Sequence, residues 1–169
     1  MTMLIGLVVG SIIAALTGVA VFFSVRSARA ASQQLVLVVT VRGLAFRFTY
    51  WKDSIDSAKL RLALNLAVEK LTAVWALADL YKLLDGVHVN VARGKYWTDP
   101  YSGRNVAGSA VPSTKSVAVA EDLAALAHEL AHVMEAGPGR IAVEDHAKWQ
   151  ENGIAAAVES YEREWMVGS

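Results

Sequence analysis

Residues 3–25 form an uninterrupted apolar segment without a charged side chain, which constrains the fold more than any other feature of the chain. As an α-helix this segment would be about 35 Å long, more than the roughly 30 Å hydrocarbon core of a bilayer. We therefore predict a transmembrane helix with its basic flank in residues 1–30. Residues 31–169 then have the length of one domain that can bury its own core.

The same segment could instead be a signal peptide, because Ala28-Arg29-Ala30 has the form of a cleavage site. Its length and the lack of basic residues before it favour a single-pass membrane anchor. Arg26 follows the segment at once, and the positive-inside tendency then places the following domain in the cytoplasm. Gly6-Leu7-Val8-Val9-Gly10 has a spacing of small residues that could pair two such helices into a homodimer.

Charge is unevenly distributed along the chain, although the formal net charge is zero. Basic residues dominate before Asp53, whereas acidic residues dominate from Glu121 onward. A basic end beside the bilayer suits anionic lipid headgroups, and the overall balance argues against nucleic acid as the main partner. The sequence has no cysteine, which excludes disulfides and thiolate zinc ligands.

The segment His128-Glu129-Leu130-Ala131-His132 is a His-Glu-x-x-His motif among strong helix formers. Spacing by four residues brings both imidazoles to one helix face, where they could bind one zinc ion. Glu129 is then expected to act as the general base that activates water. The motif predicts a zinc-dependent hydrolase of peptide bonds that acts on a protein or peptide substrate.

The other patterns along the chain predict an α+β domain. Strands are expected over residues 35–41, 44–50, 87–91, 106–110 and 116–119. Helices are expected over residues 53–84, from 120 to the break at 137–139, and over 143–165 with a weak interruption at Gly153. The strand at 117–119 is expected to be an edge with which an extended substrate could pair.

The motif is followed by Asp145-His146-Ala147-Lys148-Trp149, and together they resemble the SprT and WLM class of small zincin metallopeptidases. The resemblance covers roughly residues 87–150. It implies a zincin fold of backing helix, small mixed sheet, His-Glu-x-x-His helix and C-terminal helix. It also implies that His146 is the third zinc ligand beside His128 and His132. Ala147 stands where the class usually has a glycine.

Two questions stay open at this point. The third ligand could be a carboxylate of the C-terminal segment, with Glu159 ahead of Glu144, Asp145 and Glu151. The domain could also be a membrane-tethered module that binds zinc or peptide without cleaving it, although Glu129 would then have no role. Candidates for stabilising an oxyanion are His88, Tyr101, Arg104 and Tyr161.

Overall fold

The computed structural model describes residues 33–99, 103–136 and 146–168, so the predicted membrane segment lies outside the described residues. The strands in this part of the chain are β1 Gln34–Val41, β2 Leu44–Trp51, β3 His88–Ala92, β4 Trp97–Thr98, β5 Asn105–Val106, β6 Gly108–Val111 and β7 Ser116–Ala120. The α-helices are α1 Ser57–Leu71, α2 Leu77–Leu84, α3 Leu126–Ala136, α4 His146–Glu151 and α5 Ile154–Gly168. No helix among these residues is long and apolar enough to cross a membrane.

The main sheet has five strands in the order β1-β2-β3-β7-β6. Strand β3 is parallel to both β2 and β7, whereas β6 runs antiparallel to β7. Strands β4 and β5 form a separate antiparallel pair. The predicted α+β class with a mixed sheet is therefore confirmed, and β1 and β6 are the edges of the main sheet.

The predicted hairpin of β1 and β2 is confirmed, and its turn consists of Arg42 and Gly43. Both residues have positive φ, 50° and 85°, as a type I′ turn requires. The Tyr81 hydroxyl of α2 donates a hydrogen bond to the Arg42 carbonyl. A Cβ atom at Gly43 would lie 2.6 Å from that hydroxyl oxygen, so a larger residue cannot fit without a shift.

The single helix predicted over residues 53–84 is wrong, because the structure has two helices with a break between them. Helix α1 ends at Leu71. The hydroxyl of its C-cap residue, Thr72, donates a hydrogen bond to the Glu69 carbonyl at 2.5 Å. Ala76 is then extended, with ψ of 146°, before α2 begins. The β-branched Thr72 and Val74 are poor helix formers, which favours the break at this point.

The core lies between the sheet and one layer of helices, and strand β2 shows how the sequence builds it. Its side chains alternate, so that Leu44, Phe46, Phe48 and Tyr50 are all buried. Each such side chain contributes about 1.5–3 kcal/mol when fully buried. Helix α3 contacts α1, α2, α5, β6 and β7, and it therefore lies at the centre of the helical layer.

Helix α3 begins at Leu126 and not near residue 120, so that boundary was predicted wrongly. Leu123 has a positive φ of 61°, which a helix does not allow. Two side chains of α5 bind this turn: the Tyr161 hydroxyl donates to the Leu123 carbonyl at 2.7 Å, and Trp165 Nε1 donates to the Asp122 carbonyl at 2.6 Å. These tertiary contacts override the local helix propensity. The last helix is broken at Gly153, as predicted.

Candidate metal centre

The two histidines of the motif converge in the first two turns of α3. Their Nε2 atoms lie 3.1 Å apart, and His132 is only 5 % exposed. Two nitrogen ligands at about 2.0–2.1 Å from a tetrahedral zinc lie roughly 3.4 Å from each other. The observed separation is close to that value, so these two side chains fit a shared zinc ion.

Glu129 is buried although it is a carboxylate, with 6 % of its surface exposed. It packs against the backbone of β6 at Gly108. A Cβ atom at position 108 would lie 2.2 Å from Glu129 Oε1, so no side chain fits there unless the carboxylate moves. Glycine at this position therefore allows the backbone of the edge strand to lie against the Glu129 carboxylate.

Trp149 connects α4 to the same face of α3. Its ring lies against both imidazoles, with centroid distances of 4.9 Å to His128 and 4.7 Å to His132. Its Nε1 donates a hydrogen bond to Glu135 Oε2 at 2.6 Å. Trp149 is only 2 % exposed, so it packs α4 against the motif histidines. His146 is the first residue of α4, and its side chain is outside the described part of the structure.

A cavity of about 270 Å³ opens beside His128. It is lined by His128, Trp149, Gln150, Ala155, Val158, Glu159 and Glu162. Partial desolvation, followed by the charge of Glu159, raises the pKa of Glu162 above its usual value. Glu159, the alternative third ligand, therefore reaches the same cavity as one of the two motif histidines.

The structure brings the predicted ligands His128 and His132 together, and it places Glu129, which follows His128 in the chain, against β6. Among the side chains that the structure describes, no group of three or more histidine, aspartate or glutamate residues is arranged to hold a metal ion. The predicted ligand His146 is not among those side chains.

The candidate oxyanion stabilisers lie elsewhere or outside the described residues. Tyr161 is buried with its hydroxyl bound to a backbone carbonyl. His88 is hydrogen-bonded to Thr49 at 2.8 Å. It pairs with Ser116 at the start of β7, whereas Gly108 pairs with Val119 near the other end of that strand. Arg104 is exposed near the β4–β5 pair, and Tyr101 is not described.

The predicted edge strand is also corrected. Strand β7, which contains residues 117–119, has neighbours on both sides, since it pairs with β3 and with β6. Its backbone groups are therefore engaged. Strand β6 is the edge, and it is the strand that contacts Glu129.

Sequence reasoning missed Gly108 and Glu162. A single glycine inside a short strand signals a close backbone approach, so Gly108 could have been singled out. Glu162 had no comparable signal, because its position at the cavity depends on how α5 packs against α3 and α4.

Comparison with other proteins adds no family: no protein-family model, no curated protein and no solved structure matches the chain significantly.

Proposed function

We propose that this chain is a zinc-dependent metallopeptidase of the zincin type, with Glu129 as the catalytic residue. The single observation that carries the proposal is the convergence of His128 and His132 at 3.1 Å beside a buried glutamate. Burying the Glu129 carboxylate and the His132 imidazole on a helix that also faces the core costs free energy. A module that only bound zinc or peptide would gain nothing from the buried Glu129.

Zinc held by these imidazoles would polarise the scissile carbonyl and make water acidic enough to react near pH 7. Glu129 takes the proton from the attacking water and passes it to the leaving amine. Gly108 lets the backbone of β6 support that carboxylate, which keeps the base in one position. An extended substrate backbone pairs with β6, which is an edge strand of the sheet among the described residues, next to this group.

The third ligand in this proposal is His146. Position 146 lies one helical turn before Trp149 on α4, and residues three apart share a helix face. Because Trp149 contacts both motif histidines, that face of α4 lies next to them. Glu159 is the rival, since it lines the cavity beside His128.

A pair of variants separates the two ligands. We expect His146→Ala to lower zinc affinity by orders of magnitude and Glu159→Ala to leave a loaded site, because only the first removes a ligand. Zinc titration of the full chain with a competing chelator measures both affinities. The opposite pattern would transfer the ligand role to Glu159.

The catalytic proposal itself is tested by Glu129→Gln. We expect it to reduce turnover of an unfolded protein substrate by roughly 10²–10⁴-fold, because general-base catalysis is lost while the amide keeps the shape of the side chain. A chelator should abolish wild-type turnover, and added zinc should restore it. Undiminished turnover in Glu129→Gln would eliminate this mechanism.

We further propose that residues 1–30 anchor the domain to a membrane in a single pass, with the domain in the cytoplasm. The apolar run and the arginines that follow it support this topology. Protease added to intact cells should then spare the domain. Digestion from outside would instead indicate the inverted topology or a cleaved, exported protein.

A further inference from the structure

The cavity beside His128 has walls of two different kinds. One wall is a stripe of helix α5 whose positions follow the helical pattern i, i+3, i+4, i+7. Its residues are Ala155, Val158, Glu159 and Glu162. Ala155 and the edges of the buried Val158 and Trp149 side chains make part of the lining apolar, which suits an aliphatic chain. The two glutamates supply negative charge on the same wall.

Neither glutamate of this wall forms an ion pair with a basic side chain of the described structure. The ion pairs formed within residues 33–99, 103–136 and 146–168 are Lys70 with Glu164 and Arg93 with Asp53. Neither of them involves Glu159 or Glu162. The two carboxylates also repel each other, because the charge of Glu159 disfavours ionisation of Glu162.

A lysine or arginine side chain matches these walls in both respects. Its methylene stem can lie along apolar surface while its charged end stays with the carboxylates and water. A cation between two like charges relieves their repulsion, which a neutral side chain of the same length cannot do. The cavity volume of about 270 Å³ leaves room for such a side chain.

We propose that this cavity is the pocket that selects a lysine or arginine side chain of the substrate next to the scissile bond, with Glu162 as its specificity-determining residue. The inference rests on the proposed peptidase function, because His128 is both a wall of the cavity and a zinc ligand in that proposal. Glu162 is not among the proposed ligands, and its role therefore does not depend on whether His146 or Glu159 completes the site.

The test uses the zinc-loaded full chain and two quenched fluorescent peptides that differ in one residue, lysine in one and norleucine in the other. Norleucine keeps an aliphatic stem and lacks the charge. We expect kcat/KM for the lysine peptide to exceed that for the norleucine peptide by roughly two- to fivefold, the range of a solvent-exposed charge pair. In Glu162→Gln the ratio should fall toward one, while hydrolysis of the norleucine peptide is retained.

Glu164→Gln is the matched control, since Glu164 is on the same helix but is paired with Lys70 and does not line the cavity. It should leave the ratio unchanged. Gln150→Glu adds a carboxylate to the lining and should increase the ratio, which keeps the inference testable if Glu162→Gln does not fold.

The outcomes separate this inference from the proposed function. Cleavage of both peptides with equal kcat/KM, or a preference that survives Glu162→Gln, would overturn the pocket assignment alone. Failure of the zinc-loaded wild type to cleave either peptide or an unfolded protein would overturn the peptidase proposal and the pocket with it.

Discussion

The two faces of α3 are both buried, yet they are built from opposite kinds of side chain. One face carries Leu126, Leu130 and Val133, which are at most 2 % exposed. The other carries Glu129 and His132, which are 6 % and 5 % exposed. Burial of the first face drives folding, whereas burial of the second opposes it. We propose that the second face is maintained for chemistry, and that burial of the first face helps to offset its free-energy cost.

The largest effect on stability is expected from the apolar face. Leu130→Ala should lower the free energy of unfolding by about 2–5 kcal/mol, because it removes a fully buried side chain and leaves a cavity. Urea denaturation of the full chain in detergent measures this loss. Leu130→Met serves as the control and should cost less than about 1.5 kcal/mol. If Leu130→Ala were as stable as the wild type, the contrast between the two faces would be broken.

The apolar face was readable from the sequence, since leucines at helical spacing indicate burial without knowledge of the rest of the fold. The motif likewise indicated that His128 and His132 share one face. What could not be read was the start of α3, because hydrogen bonds from Tyr161 and Trp165 fix the turn before it. The position of β6 as the edge was equally inaccessible, since strand order depends on contacts distant in sequence.

On the polar face, Gly108→Ala should reduce turnover by roughly 10²-fold while changing stability little. The added Cβ would lie 2.2 Å from Glu129 Oε1, so the carboxylate has to leave its position. Gly168→Ala is the control, because nothing lies within 4 Å of the Cβ that it adds. Steady-state kinetics with an unfolded protein substrate measures both variants. Equal turnover in the two would show that the contact with β6 does not position the base.

Smaller effects on stability and on zinc affinity are expected where α4 meets the polar face of α3. Trp149→Phe keeps an aromatic ring on the histidines but loses the hydrogen bond to Glu135, at a cost of about 1–2 kcal/mol. We expect a modest loss of zinc affinity as well, since Trp149 contacts both imidazoles.

Trp165→Phe removes a comparable indole hydrogen bond, to the Asp122 carbonyl, without touching the motif histidines. It should lower stability by a similar amount and leave zinc affinity unchanged. Chelator competition on both variants would distinguish a role of Trp149 in positioning the site from a purely structural one. Equal zinc affinities would assign Trp149 to packing alone.

We propose that the polar face of α3 exists to hold zinc beside a base. The most direct measurement is the zinc content of the full chain purified in detergent, by mass spectrometry of the metal, for the wild type, Glu129→Gln and His132→Ala. We expect one zinc per chain in the wild type and in Glu129→Gln, because the carboxylate is not a ligand, and a loss of zinc in folded His132→Ala. A wild-type chain that binds no zinc, or a His132→Ala chain that binds as much as the wild type, would contradict it.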